Sequence, residues 1–212
     1  MRQYSAAGWR VFACARAPVK SEALAQLAED AALKITVHAL DVSDHAAIEA
    51  LAIQLAGMPI DVLLNVAGLQ SLSSFGKSNY PAWTEVFRVN TLAPMKLAEA
   101  FVEQLAASDQ KKIVTLSSIL GSIGENDSGG MVGYRSTKAA VNAVMRTLSI
   151  DLAARGIIAV PMHPGWVRTD MGGPRAPIDV QTSVAGMIRV IAGLTKAQSG
   201  KFLTFTGETL PW

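Results

Sequence analysis

One group of side chains in the middle of the sequence has the types and spacing for proton transfer. Tyr134 and Lys138 stand four residues apart, and Ser117 and Ser118 lie just upstream in Leu116-Ser117-Ser118-Ile119-Leu120-Gly121. Lys112 to Leu116 is a short apolar run with β-branched members and reads as a buried strand. From Tyr134 onward Val141, Val144, Met145, Leu148 and Leu152 recur at helical spacing. A hydroxyl is thus expected where a strand ends, with Tyr134 and Lys138 on one face of the next helix. An ammonium beside a phenol favours the phenolate, which predicts a Tyr134 pKa below the ordinary value of about 10. A phenol tuned in this way can exchange a proton with a substrate oxygen near neutral pH. The spacing alone is also that of any solvated helix pair, so the surrounding chain has to supply the context.

Composition removes several classes of function. The 212 residues suit one domain with a substantial core, and half are hydrophobic, which argues against disorder. The net charge is +2 and no Lys/Arg block occurs, so neither nucleic acid nor a membrane surface has electrostatic support. Cys14 is the only cysteine, which excludes an internal disulfide and fits a reducing cytoplasm. The apolar run that starts at Val11 is closed by Arg16, so no ordinary signal peptide is expected. No apolar stretch is long enough to span a bilayer. His38, His45 and His163 are scattered without ligand spacing, and no metal site is expected.

The elements that must position the group alternate along the chain. Strands are expected at Val11–Ala15, Ile35–Leu40, Ile60–Asn65, Lys112–Leu116, Ile157–Met162 and Phe202–Phe205. Helices are expected at Ser21–Ala32 and Ser43–Leu55, with Ser21 and Ser43 as caps, and at Pro81–Leu105, Tyr134–Ala154 and Thr182–Leu194. This rhythm predicts an α/β fold, a doubly wound and mostly parallel sheet with helices on both faces. The longest loops are Gly68–Asn79, Gly121–Gly133 and Pro164–Gln181. Each follows a strand, which places it at the carboxyl edge where such sheets bind ligands. Met1 to Ala7 reads like the last turns of a helix closed by Gly8, as if the chain began inside an element.

With these features in place the chain resembles the short-chain dehydrogenase/reductase family, and within it the small carbonyl-reductase-like members that include C-factor and sniffer-type proteins. The likeness runs from Met1 to Trp212 and rests on motifs in order. These are Asp41-Val42, Asn65-Val66-Ala67-Gly68, Val89-Asn90, Ser117-Ser118, Tyr134 with Lys138, Pro164-Gly165-Trp166-Val167-Arg168-Thr169, and the tail from Ser199-Gly200 to Pro211-Trp212. The resemblance implies a Rossmann-like, three-layer α/β/α domain. It implies that Tyr134 is the general acid of carbonyl reduction and that Lys138 lowers the tyrosine pKa and binds the nicotinamide ribose. It also implies that Ser118 holds the substrate oxygen, with Ser117 the competing choice, and that Asn90 supports the lysine through a water. Asp41 and Val42 would border the adenine. Asn65, Ala67 and Gly68 would let the backbone approach the cofactor, with Val66 where the family usually has a second Asn. Pro164, Gly165, Val167 and Thr169 match the segment that holds the nicotinamide amide.

Cofactor choice has its own local signal. An acid at the end of the second strand of a dinucleotide fold binds the ribose hydroxyls of NAD, and an Arg nearby accommodates the 2′-phosphate. Here Ala15 takes the acid's place and Arg16 follows, which favours NADP. The family's first strand and Gly-rich phosphate turn have no counterpart before Gly8, so residues 1–212 are expected to form a single dinucleotide-binding domain shortened at its start. The flanking strands at Val11–Ala15 and Ile60–Asn65 could then pair directly. Two readings follow: an NADP-dependent reductase of a small carbonyl compound, or a non-catalytic reductase-like scaffold with impaired cofactor binding. Ser118, His163 and Asp170 could in principle serve a hydrolase, but no Gly-x-Ser-x-Gly elbow occurs. Glu125–Gly130 is expected to rim the substrate pocket, and the short, Gly/Pro-rich segment from Arg168 to Pro177 suggests an open one. The long apolar helices favour a homo-oligomer.

Overall fold

The structure, a computed structural model, describes residues 1–30 and 32–212. It divides into two compact units, Met1–Gln54 and Leu55–Trp212.

The first unit begins with α1 (Arg2–Ala6), closed by Gly8 at φ 87°. Strand β1 (Val11–Ala15) pairs in parallel with β2 (Ile35–Ala39), and α2 (Glu22–Glu29) lies between them in sequence. Ser21 caps α2, its hydroxyl accepting from the Leu24 N–H. Of the helix expected to reach Ala32, position Ala31 lies outside the described residues. Helix α3 (His45–Gln54) is capped by Asp44 and not by Ser43. The Asp44 carboxylate accepts from the Ala46 and Ala47 N–H groups, whereas Ser43 is itself bound by Asp41 at 2.9 and 2.8 Å. A carboxylate reaching both N2 and N3 is the better partner for orphan donors at a helix start.

The second unit holds a four-stranded parallel sheet in the order β3-β4-β5-β6: Val62–Asn65, Lys112–Leu116, Ile158–His163 and Leu203–Thr204. Four of the five β4 residues and five of the six β5 residues are buried, as expected of parallel strands covered on both faces. Pro161 sits inside β5, where a missing N–H would normally break a ladder. The Ala159 and His163 carbonyls accept from Gly200 and Phe205, and that of Met162 from Ser117. By alternation Pro161 therefore faces the β6 side, and β6 begins only at the register of Met162, so no bond is lost.

The helix expected from Pro81 to Leu105 is three pieces: α4 (Tyr80–Phe87), a wide π-helical turn (Arg88–Leu92) and α5 (Ala93–Ala106). In the wide turn the Ala93 N–H reaches the Arg88 carbonyl, five residues back. Pro94 follows immediately and has no N–H to give the Asn90 carbonyl, which removes the regular four-residue bond at that point. Two long helices complete the unit, α6 (Val132–Asp151) and α7 (Val180–Ala192). Among the described residues, the ladder partner of β1 is β2 and that of β3 is β4. Parallel strands alternating with flanking helices make this a Rossmann-like α/β fold.

Candidate active site

Strand β4 and helix α6 bring the candidate proton-transfer residues together. The β4 ladder runs one residue past the strand through the Ser117 N–H, which bonds the Met162 carbonyl at 2.8 Å. Ser118 is extended, and its hydroxyl caps the short turn Ile119–Gly121 by accepting from the Leu120 N–H at 3.2 Å. The same hydroxyl lies near enough to the Tyr134 phenol to pull its pKa down. Ser117 points elsewhere: it is buried and donates to Asn142 Oδ1 at 2.6 Å. Strand alternation sends the two hydroxyls to opposite sides, and only Ser118 meets the phenol.

Helix α6 is anchored before it reaches Tyr134. Gly129, Gly130 and Met131 are successive left-handed residues, with φ of 63°, 68° and 48°, and they turn the chain into the first helical turn. Gly133 passes so close to Ser71 and Ser73 that an added Cβ would stand 3.1 to 3.3 Å from their side chains, and its N–H bonds the Ser73 hydroxyl. Tyr134 is buried, as are Thr137 and Lys138. Lys138 Nζ donates to the Leu116 carbonyl at 2.8 Å and lies 5.7 Å from the centre of the Tyr134 ring.

The electrostatics differ in sign from what the Tyr/Lys spacing predicts. Burial pushes the Tyr134 phenol above its ordinary value, and the Ser118 hydrogen bond pulls against that without reversing it. Burial also pushes the Lys138 ammonium down to about 8. The ammonium donates to a backbone carbonyl, and desolvation by burial dominates at both groups. The phenol therefore stays protonated through neutral pH with a hydroxyl beside it, an arrangement suited to giving a proton away.

Asn90 lies in the wide turn and is 1% exposed. Its amide oxygen accepts from the Leu69 N–H at 2.8 Å, and its NH2 donates to the Leu69 carbonyl and the Thr137 hydroxyl. The side chain thus staples the loop after Gly68 to α6, next to Lys138. An added Cβ at Gly68 would meet Asn90 Oδ1 at 3.5 Å and Lys138 Nζ at 3.7 Å. Asn65, at the end of β3, donates to the Thr115 hydroxyl, while its buried Oδ1 has no partner. Ala67 is exposed.

The segment after β5 is fixed at both ends. The Pro164 carbonyl accepts from the buried Ser183 hydroxyl at 2.7 Å. Gly165 is left-handed at φ 86°, and a Cβ there would run into Ile178 and Phe205. Val167 bridges to Ile178, and the Thr169 hydroxyl accepts from the Gly172 N–H. The residues expected to contact the adenine end, Arg16, Asp41 and Val42, belong to the first unit, where Arg16 is exposed just after β1 and Asp41 binds Ser43.

Two residues of this region escaped the sequence reading. Arg135 holds the segment between Ser118 and Tyr134, donating to the Gly129 and Gly130 carbonyls, to Ser128 Oγ and to the Leu120 carbonyl. Asn142 is buried and bonds both Ser117 and Gly121. The available signal was spacing: Tyr134, Lys138 and Asn142 stand at i, i+4 and i+8 of one helix. No hydrolase site assembles among the described residues. The Ser118 hydroxyl is engaged by Leu120 and Tyr134, and the buried Nδ1 of His163 has no partner. Nor does any group of His, Cys, Asp and Glu among them have the makings of a metal site.

The family model described as short chain dehydrogenase matches residues 1–177. The chain belongs to the short-chain dehydrogenase/reductase family. It is 39% identical over 155 residues to the C-signal protein of Myxococcus xanthus, covering 73% of this chain and 93% of that one. Among solved structures it is similar to the carbonyl reductase Sniffer of D. melanogaster, with a TM-score of 0.90 and 32% identity over 95% of this chain and 87% of that one. It is equally similar to an NADPH-bound carbonyl reductase from chicken fatty liver, with a TM-score of 0.89, 33% identity and the same coverage. This short-chain dehydrogenase/reductase is thus an oxidoreductase by family, and no helix among its described residues is long and apolar enough to cross a membrane.

Proposed function

We propose that this protein is an NADP-dependent reductase of a small carbonyl compound, with Tyr134 as general acid. The observation that carries this reading is the cluster itself, a buried phenol that stays protonated, with the Ser118 hydroxyl beside it and Lys138 on the same helix. When bound, the reduced nicotinamide supplies a hydride to the carbonyl carbon. Tyr134 gives its proton to the developing alkoxide, so the carbonyl π bond is replaced by a C–H and an O–H bond. Ser118 donates to the same oxygen and then to the phenolate, and Lys138 offsets the phenolate charge. Asn90 keeps Lys138 and the Gly68–Leu69 backbone in register.

The residues present fit the cofactor. The orphaned Asn65 Oδ1 offers a buried acceptor at a strand end, and Gly68 adds no side chain beside Lys138. In this reading Asn65, Ala67, Gly68, Tyr134, Lys138, Pro164, Gly165, Val167 and Thr169 would hold the nicotinamide side. Asp41 and Val42 would hold the adenine, and Arg16 the 2′-phosphate. The NADPH-bound relative and the Arg16 signal both favour NADP over NAD. The same reading takes residues 1–212 as one dinucleotide-binding domain of a cytoplasmic homo-oligomer. The exposed apolar side chains Tyr80, Leu92 and Ile150 on the helices of the second unit support self-association.

The test is NADPH oxidation with 4-nitrobenzaldehyde by the wild-type chain and by Tyr134→Phe. Removing the acid should cost at least about 100-fold in kcat at saturating NADPH. Equal rates would overturn the assignment of Tyr134. A wild-type chain that neither binds nor oxidises NADPH would favour the non-catalytic scaffold.

A further inference from the structure

Outside the cluster just described, the buried polar groups of α6 lead to one residue. Asn142 lies one helical turn past Lys138, is 2% exposed, and makes its side-chain bonds across to the chain around Ser118. Its Oδ1 accepts the Ser117 hydroxyl at 2.6 Å, and its Nδ2 donates to the Gly121 carbonyl at 3.4 Å. A carbonyl can only accept, so the nitrogen must face Gly121, and the orientation of the amide follows. Ser117 immediately precedes Ser118, and Gly121 closes the turn that Ser118 opens, its N–H bonding the Ser118 carbonyl at 2.8 Å. One side chain therefore holds residues on both sides of Ser118, the hydroxyl of Ser117 and the backbone carbonyl of Gly121.

The fit is tight. An added Cβ at Gly121 would stand 2.7 Å from the Lys138 carbonyl carbon, so the turn rests on the backbone of α6 itself. The Ser117 hydroxyl has a second acceptor in reach, the Lys138 carbonyl, but at 3.5 Å it is the weaker of the two. The amide accepts from Ser117 through its oxygen and donates to Gly121 through its nitrogen. An Asp carboxylate has no donor, and Ala or Leu has neither.

We propose that Asn142 is a positioning residue that holds Ser118 against Tyr134. The proposal rests on the reading of Ser118 and Tyr134 as reacting groups, but its geometry does not depend on that reading. Asn142 touches neither substrate nor cofactor in this scheme and acts through Ser118. A small displacement of a reacting group is costly, since misplacement by about 1 Å can lower a rate by about 100-fold.

The test is a cycle of variants: Asn142→Ala, Ser118→Ala and the double variant, assayed for NADPH oxidation with 4-nitrobenzaldehyde and for NADPH affinity by fluorescence. Asn142→Ala should lower kcat by roughly 10-fold and leave NADPH affinity within about twofold. Added to Ser118→Ala it should lower kcat no further, because the group it positions is already gone. A 10-fold loss in both backgrounds would overturn the proposal, as would unchanged kcat in Asn142→Ala. Ser117→Ala, which removes one of the two grips without opening a large void, should show the same dependence on Ser118 with a smaller loss.

A second measurement does not need turnover. Amide hydrogen exchange in Asn142→Ala should quicken at Leu120 and Gly121 by about 10-fold or more, with the β4 amides unchanged. Unchanged exchange at both amides would sink the proposal. If Tyr134→Phe and Ser118→Ala keep full activity, the catalytic reading fails, and the exchange result still decides whether Asn142 fixes the Ser118 turn.

Discussion

The two compact units of this chain contrast in how their buried groups are held. In the first, β1, β2 and α2 share a small cluster of Ala13, Leu27 and Ile35, and Cys14 and Arg16 at the end of β1 are exposed. The second holds, among the described residues, the fully buried large side chains other than Ile48, and Lys112, Asn90, Asn142 and Lys138 are buried there with hydrogen-bond partners. Lys112 shows the difference well: its ammonium leaves β4 to bond the Ile191 and Ala192 carbonyls at the C-terminus of α7, where a cation is favoured. A sheet covered on both faces can bury polar side chains because neighbouring elements supply their partners. A two-stranded ladder has little core to do so. The candidate proton-transfer residues lie wholly in the second unit, and the sequence signal for cofactor preference wholly in the first.

The contrast can be broken at its strongest point by core truncation. Ile113→Ala, at a fully buried position of β4, should cost about 3–4 kcal/mol, whereas Leu27→Ala in the first unit should cost about 2 kcal/mol. Urea unfolding of both variants checks this, and equal costs would mean that the first unit is packed as firmly as the second. The same curves show whether the chain unfolds in one transition, as a single domain should, or in two.

A smaller effect separates the units by pH. Burial pushes His163, at the end of β5, down to about 4, from an ordinary value near 6.5. Between those values the unfolded chain binds a proton that the folded chain refuses. Stability is therefore full above about pH 6.5 and is lost as pH falls towards 4, by on the order of 2–3 kcal/mol. In His163→Gln that part of the acid sensitivity should vanish, as measured by the difference in Tm between pH 7 and pH 4.5. An unchanged difference would mean that other groups control the acid limb.

The smallest expected effect sharpens the division of labour. Arg16→Ala should weaken NADPH binding by roughly 10-fold and leave NADH binding within about twofold, because only the 2′-phosphate contact is removed. Equal losses for both cofactors would place Arg16 outside 2′-phosphate recognition.

Local pattern made much of this legible. The alternation of strand-like and helix-like runs marks the Rossmann-like class, because side-chain periods of 2 and 3.6 follow from backbone geometry. The N-cap of α2 at Ser21 and the left-handed closure at Gly8 were equally readable, being local. The wide turn at Arg88–Leu92 was not, although Pro94 marks where a regular helix must fail. The cap of α3 was misplaced by one residue because Ser43 and Asp44 are both good caps, and only the carboxylate reaches two N–H groups. The sign of the Tyr134 shift was misjudged for a different reason. Spacing tells that an ammonium is near, but not that it faces a carbonyl or that both groups are dry.

By itself, then, the sequence determined that Tyr134 and Lys138 share a helix face, and which strand end precedes them. Those relations are set by the geometry of a single element. The tertiary structure alone decided that Ser118 and not Ser117 meets the phenol, that Asn90 staples Leu69 to Thr137, and that Arg135 holds the loop between Ser118 and Tyr134. Several of these contacts join residues far apart in sequence, and a hydrogen bond forms only where folding brings donor and acceptor within about 3 Å.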